Sequence, residues 1–366
     1  MSRFALRAST LFLGPIVWWH SRPAVVRRAL AGLEYSLAPA PREDGVRVGV
    51  IQLEAQPFFP ARGYAQAMYR AAREAVEGSA QLVVFPLEQG DSFRTGFSRG
   101  LAAPGLSGAW IKIFGPRLPP ADLLRLTAPA ARRIFQTTFS YLAAAFRIHV
   151  VAGGVWLPDQ RGKLLNSGYL FGPDGRTIGV QAQIHLSRQE VARGMSGDDE
   201  IRVFKTAVGL IAIPLARDSL SFEAPRIAWL RGAEIMIALA GAPSDDDLRF
   251  QTGGMWSRVQ ESPAYGILAR VAKDGPAADL RARSGVYAPL EITPGSDGIV
   301  PQAKSANRPQ LLLADLDLSA LRRFRREHAP QFNLDLYRRY FPRGYAAHQR
   351  TRGSGGPPEG TPRSGS

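Results

Sequence analysis

The chain has 366 residues, of which 45% are hydrophobic and 21% charged, with 37 Gly and 28 Pro. This composition excludes collagen-like, fibrous and disordered proteins and predicts a globular one. The sequence contains no cysteine, which excludes disulfides, thiolate metal sites and every mechanism that uses a thiol nucleophile. The formal net charge of +15 indicates only weak, nonspecific affinity for polyanions at low salt.

Residues 1–45 form an Arg-rich N-terminal leader or arm with an apolar run from Thr10 to Trp19. The run is shorter than the roughly 20 apolar residues that cross a bilayer. It also contains Pro15 and lacks a small-x-small cleavage site, which argues against a secretory signal. We therefore expect a packed or interfacial arm, no transmembrane segment and a cytoplasmic location.

The first half of the chain alternates short apolar runs with stretches of helical spacing, and predicts a β-α-β opening followed by a long helix. The predicted elements are a strand at Val46–Leu53, a helix at Arg62–Glu77, a strand at Gln81–Pro86, a loop at Pro104–Pro120, a helix N-capped by Thr127 and running to Arg147, and a strand at His149–Trp156.

The second half adds paired strands. Ser167–Phe171 and Thr177–Gln183 flank Gly172-Pro173-Asp174-Gly175, a tight-turn sequence that predicts a hairpin. Further strands are predicted at Val208–Ile213, Glu234–Leu239, Gly285–Pro289, Ile299–Gln302 and Gln310–Leu316, and helices at Phe222–Leu230, Leu248–Val271 and Leu318–Glu327.

This alternation predicts an α/β protein whose hairpin excludes a purely parallel sheet. We expect one domain at residues 46–341 with flexible N- and C-terminal tails. Residues 342–366 end in a stretch rich in Gly, Pro and Ser, which is typical of a disordered tail.

Polar residues follow three predicted strands, at residues 85–90, 183–186 and 213–219. Strand ends are where α/β proteins usually place their functional sites. The sequences around them are VRVGVIQLEAQ and LVVFP, then NSGYLFGPDGRTIG followed by QIHL, then GLIAIPLARDSLSFEAPRIAWLRGAEIMI. Together with the closing RSGVYAPLEITPGSDG and LLLADLDLSALRRFRR, they resemble the nitrilase superfamily of carbon–nitrogen hydrolases over roughly residues 46–341.

The resemblance implies a four-layer α-β-β-α sandwich, a homo-oligomer, no cofactor and a Glu-Lys-Cys triad. In that triad the Glu is the general base, the Lys stabilises the oxyanion and the Cys thiolate attacks a nitrile or amide carbon. The motifs place the Glu directly after Phe-Pro, the Lys two residues before His-Leu and the Cys seven residues before a helical Glu. In this chain these positions are Leu87, Gln183 and Ala216.

None of the three side chains can perform the triad's chemistry. Leu87 cannot accept a proton, Gln183 carries no charge and Ala216 has no nucleophilic atom. Loss of the nucleophile removes the covalent route outright. The leading hypothesis is a pseudoenzyme that binds a small amide, nitrile or acid ligand, or a protein partner.

A second hypothesis is an active hydrolase with a rebuilt, thiol-independent mechanism in which Glu88 activates water. Adjacent residues of an extended chain point to opposite sides, so the alternative reading of Glu88 is a solvated or structural carboxylate. Ser219 and Ser221 lack a nucleophile-elbow sequence, and we interpret them as capping or surface hydroxyls.

The candidate ligand-binding residues are Gln183, His185, Arg217 and Asp218. Arg217 could hold a carboxylate or phosphate bidentately, or form an ion pair. Asp218 is expected to anchor the backbone of the elbow, and His185 is more often structural than catalytic in such a setting. Five scattered His and no Cys predict no metal site.

A third hypothesis is an anion-binding scaffold that uses the C-terminal helix with Arg322, Arg323, Arg325 and Arg326. The alternative reading is a solvated basic face. Because no nucleic-acid-binding fold accompanies the arginines, we expect no specific nucleic-acid partner.

Overall fold

A computed structural model of the chain describes residues 18, 21–40, 44–54, 61–87, 120–241, 247–272, 282–328, 333 and 335–342. The chain divides into two compact units, residues 1–325 and 326–366. In the second unit, residues 335–342 are helical.

The helices of the described chain range from one turn to more than seven turns. They are α1 (Pro23–Ala31), α2 (Ala61–Glu77), α3 (Pro120–Phe146), α4 (Arg188–Ala192), α5 (Glu223–Leu230), α6 (Asp247–Gly253), α7 (Met255–Glu261) and α8 (Leu318–Glu327).

The described strands form two sheets. They are β1 (Gly45–Glu54), β2 (Leu82–Val84), β3 (His149–Pro158), β4 (Leu164–Phe171), β5 (Thr177–Ala182), β6 (Val203–Thr206), β7 (Gly209–Ala212), β8 (Ile235–Leu239), β9 (Tyr265–Ala269), β10 (Val271–Ala272), β11 (Gly285–Tyr287), β12 (Ile299–Gln302) and β13 (Gln310–Asp317). The first sheet has the order β10-β1-β2-β3-β4-β5, with β13 antiparallel to β1. The second has the order β12-β11-β9-β8-β7-β6.

Both sheets mix parallel and antiparallel pairs, as the sequence predicts. β1, β2 and β3 run parallel, whereas β4 and β5 form the predicted antiparallel hairpin. Its turn closes with a hydrogen bond of 2.8 Å from the Gly175 amide to the Gly172 carbonyl. Gly175 has a φ of 79°, a left-handed conformation that glycine adopts at little cost.

Apolar side chains fill three layers of core. The inner faces of the two sheets share one cluster, which includes Val48 and Val50 of the first sheet and Ile235 and Ile237 of the second. A second cluster joins α1, α2 and α3 to the outer face of the first sheet, and a third joins α5, α6 and α7 to the outer face of the second. The first unit is therefore an α-β-β-α sandwich, and the α/β fold class is confirmed.

The single long helix predicted at Leu248–Val271 is wrong. The segment forms the two short helices α6 and α7 and then the strands β9 and β10. Gly253 and Gly254 stand at the break between the helices, and Pro263 follows the end of the second. Glycine weakens a helix interior and proline cannot continue one, so the apolar run after Pro263 forms a buried strand.

The predicted N-cap at Thr127 is also wrong, because α3 begins at Pro120 and continues through Pro129. Proline is favoured in the first turn of a helix. Thr127 lies inside the helix, and its hydroxyl donates to the Leu124 carbonyl at 3.3 Å. The predicted loop Pro104–Pro120 otherwise lies outside the described residues.

Part of the predicted leader belongs to the core. Val26 and Leu30 of α1 are fully buried in the cluster that contains α2 and α3. Strand β6 is a further element that the sequence patterns did not predict. Except for residue 342, the predicted tail at 342–366 lies outside the described residues.

Two of the four clustered arginines of α8 have structural roles. Arg322 Nε donates to a Glu234 carboxylate oxygen at 2.7 Å. Arg325 donates to the carbonyls of Ala233 and Pro263, and burial lowers its pKa. Arg323 and Arg326 are exposed. No helix in the described ranges is both long enough and apolar enough to cross a membrane.

Candidate functional site

Three strand ends supply the sequence-predicted positions. Leu87 follows β2 and Gln183 follows β5, both in the first sheet, while Ala216 follows β7 in the second. Leu87 belongs to the apolar cluster between the sheets, and Ala216 packs against that same cluster. The fold therefore brings residues from both sheets to one region of the sandwich.

Ala216 begins a short 3-10 turn, Ala216–Leu220, which we call the elbow. Its φ is 45°, a left-handed conformation that costs a residue with a Cβ about 1–2 kcal/mol. The turn is held by the Asp218 amide, which donates to the Leu215 carbonyl at 2.8 Å. The Ser219 hydroxyl is buried and donates to the Ala216 carbonyl within the turn at 2.9 Å, so it is neither a helix cap nor a surface hydroxyl.

The Asp218 carboxylate ties the elbow to the end of β5. It is 1% exposed and accepts hydrogen bonds from the backbone amides of Ile184, His185 and Leu215 at 2.6–3.2 Å. Because Ile184 and His185 follow the first sheet while Leu215 precedes the elbow of the second, one side chain connects both. Asp218 thus anchors the elbow backbone.

Gln183 is completely buried, and both ends of its amide bond to other protein groups. Its Oε1 accepts from Asn166 Nδ2 at 2.9 Å, and its Nε2 donates to the His185 carbonyl at 2.9 Å. A neutral amide in such a network avoids the high free-energy cost of burying an unpaired charge.

Leu87 is 7% exposed and packs in the inter-sheet cluster with Leu215. It offers an apolar surface at the position where the family motif would place a proton acceptor. The neighbouring candidate Glu88 lies outside the described residues.

His185 is half-buried beside the elbow. Its Nδ1 lies 3.1 Å from an Asp218 carboxylate oxygen. This hydrogen bond raises the pKa of His185 above its usual value, while burial acts in the opposite direction. The charges of Asp218 and Glu223 raise this pKa further, and that of Arg217 lowers it.

A cleft of about 430 Å³ opens next to the elbow and is lined by His185, Arg217, Arg249 and Arg258. The rest of its described lining consists of Leu186, Leu220, Ser221, Thr252 and Gly253. Sequence reasoning missed Arg249 and Arg258, because it placed both on one long helix. The Gly253-Gly254 pair was the signal that the helix turns there. Among the residues that the structure describes, no group of His, Asp and Glu is arranged to hold a metal.

A family model of carbon-nitrogen hydrolases matches residues 47–264, more than half of the chain. The chain belongs to the carbon-nitrogen hydrolase family. Its α-β-β-α sandwich is the fold that the sequence resemblance implied.

Curated relatives include the probable hydrolase YhcX of Bacillus subtilis, 28% identical over 286 residues, with 76% of this chain and 51% of that protein covered. The chain thus spans about half the length of this relative. The omega-amidase NIT2 of Xenopus tropicalis is 26% identical over 210 residues, covering 54% of this chain and 72% of that protein.

Among solved structures, an amidase from Nesterenkonia sp. has a TM-score of 0.57 and 17% identity, covering 83% of this chain and all of that chain. A mutant of the Nesterenkonia AN1 amidase, described as from the nitrilase superfamily, has a TM-score of 0.55 and 19% identity. The match covers 80% of this chain and 98% of the mutant's chain. At these identities the likeness concerns the fold alone.

The strained backbone of the elbow predicts that a substitution by glycine stabilises the protein, whereas such substitutions usually destabilise it. We expect Ala216→Gly to raise the free energy of unfolding by up to about 1 kcal/mol, because glycine adopts a left-handed φ without the penalty of a Cβ. Urea denaturation of both proteins measures the difference.

Ala144→Gly is the matched control, since Ala144 is an exposed residue within α3. There glycine should lower the free energy of unfolding by about 0.5–1 kcal/mol. Equal destabilisation by both substitutions would show that the elbow is not strained.

The interaction between His185 and Asp218 predicts a pH dependence of stability. A histidine whose pKa is higher in the folded state stabilises the fold when it is protonated. The stabilisation is complete below the unfolded pKa of about 6.5 and is lost as the pH rises through the folded pKa. We therefore expect His185→Gln to lower the free energy of unfolding more at pH about 5.5 than at pH about 8.5. Urea denaturation at each pH, with the exposed His328→Gln as control, tests this; the same loss at both pH values would contradict it.

Proposed function

We propose that this protein is a non-hydrolytic member of the nitrilase superfamily that binds a small amide, nitrile or acid ligand beside the elbow. The observation that carries the proposal is Ala216, a methyl side chain at the position of the family's nucleophile, in a chain with no cysteine anywhere. The triad-equivalent positions are then Leu87, Gln183 and Ala216.

The backbone of Ala216 supports this assignment. A left-handed φ at alanine carries a free-energy cost that a glycine would not carry. It is the conformation expected where a sharp strand-to-helix turn presents a nucleophile. Glu223 follows seven residues later, the spacing of the family motif.

The surroundings of the other two positions also favour loss of catalysis. A general base must exchange a proton with the reacting group, and Leu87 has no atom that can do so. Gln183 donates its amide hydrogen to a backbone carbonyl and adds no positive charge. Both side chains are buried and carry no charge.

Binding without hydrolysis remains chemically reasonable at this place. The cleft beside the elbow keeps hydrogen-bonding side chains, including His185, Arg217 and Ser221. Of the candidate ligand-binding residues, His185 and Arg217 line this cleft, whereas Gln183 and Asp218 hold the backbone behind it.

Ammonia release from a panel of amides, nitriles and carbamoyl compounds tests the proposal. We expect no release above background by the purified protein, because the route through a thioester requires a thiol. The assay is run with and without iodoacetamide, since activity that alkylation removes must come from a contaminating enzyme.

Glu88→Gln is the control for a rebuilt mechanism. Release that is insensitive to iodoacetamide and is lost in Glu88→Gln would overturn the proposal in favour of a hydrolase in which Glu88 activates water. Release that is insensitive to both would overturn it in favour of another rebuilt mechanism.

We also propose that the protein forms a homo-oligomer and is located in the cytoplasm. Exposed apolar side chains support the oligomer, since Phe222, Ile227 and Leu230 of the α5 region are 37–63% exposed, and large exposed apolar patches mark interaction surfaces.

We expect light scattering to give at least twice the mass of one chain. Leu230→Glu should lower that mass, because it places a charge in the apolar surface, whereas Ile178→Glu on β5 should not. A monomeric wild type would contradict the expectation.

A further inference from the structure

The cleft beside the elbow is built by four separate parts of the first unit. His185 follows β5, Arg217 and Ser221 belong to the elbow region, Arg249 lies on α6, and Arg258 lies on α7. A volume of about 430 Å³ is in the size range of small-molecule pockets, roughly 300–1,000 Å³. The site therefore has the size for a small metabolite.

The described lining of this cleft is cationic. It contains three arginines and one histidine, and none of its described residues is acidic. One described carboxylate pairs directly with the lining, since Glu261 lies 3.0 Å from Arg258. Asp218 is buried and bonded to backbone amides, and the charge of Glu223 acts on His185. Gathering like charges is unfavourable unless something compensates for them.

Arg258 provides a second observation. Its side chain is only 13% exposed, and one terminal nitrogen donates to Glu261 at 3.0 Å. Its Nε is buried and makes no hydrogen bond to any described residue. A buried N–H group without an acceptor is rare in folded proteins and calls for an explanation.

We propose that this cleft binds a small organic anion through carboxylate or phosphate oxygens, held by Arg217, Arg249 and Arg258. The inference deepens the proposed function and rests on it in one respect, because it takes the bound molecule to be a ligand and not a substrate. His185 stands at the edge of the cleft and contributes a further hydrogen bond.

The chemistry of the guanidinium group favours this class of ligand. Arginine presents N–H donors in a planar fork that matches the oxygens of a carboxylate or a phosphate. A neutral amide or nitrile offers these donors no charged oxygen. The ligand's anionic group, not its amide, is thus what the cleft recognises.

Isothermal titration calorimetry with succinate, with inorganic phosphate and with neutral succinamide tests the proposal. The titrations use the full chain at about 150 mM salt, where nonspecific surface attraction is largely screened. We expect one of the two anions to bind at millimolar concentration or below and succinamide not to bind. Binding of succinate alone or of phosphate alone identifies the anionic group.

Two charge-matched variants decide whether the cleft is the site. Arg249→Gln removes an exposed arginine of the cleft and should weaken binding about tenfold or more, as expected for a charge-assisted hydrogen bond. Arg176→Gln removes one charge from the hairpin turn, at the other end of β5, whose 6 residues span about 20 Å at roughly 3.3 Å per residue. It should leave binding unchanged.

Absence of binding by both anions would overturn the inference, and so would equal weakening in both variants, which would indicate a general effect of net charge. Arg258→Gln serves as a second test of the cleft if its thermal unfolding is unchanged. Ammonia release from the amide and nitrile panel is measured on the same samples without anion. Hydrolysis would contradict the proposed function, whereas the calorimetry would still show whether the cleft binds an anion.

Discussion

The hydrogen bonds of the Asp218 carboxylate are the interaction on which the site depends. One buried side chain receives backbone amides from the end of β5 and from the residue before the elbow, so it joins the two sheets at the place where the family motifs meet. A buried charge of this kind is stable only when several donors compensate for its lost hydration. The register of the two strand ends is therefore fixed without help from any catalytic side chain.

The Asp218 hydrogen bonds hold together a region in which apolar and charged groups are separated. Leu87 and Ala216 contribute apolar groups to the inter-sheet core, and the neutral amide of Gln183 is buried at the end of β5, whereas the cleft beside the elbow carries arginines. This distribution of groups is the basis for the proposal that the cleft holds an anion.

The features that depend on short stretches of the chain could be predicted from the sequence. The hairpin turn at residues 172–175 and the residues after β5 and β7 have short-range signals, and the family motifs place Ala216 and Asp218 in register. The two short helices before β9 could not be predicted as such, because an apolar run in a central strand has no period that separates it from a buried helix. Arg249 and Arg258 come together with Arg217 only through tertiary packing, which no spacing along the chain reveals.

The left-handed backbone at Ala216 has a consequence for the engineering of this fold. The hydrogen bonds of the turn join the Asp218 amide to the Leu215 carbonyl and the Leu215 amide to the Asp218 carboxylate, and neither involves the side chain of residue 216. A residue introduced at position 216 would therefore enter a turn whose hydrogen bonds do not depend on the new side chain.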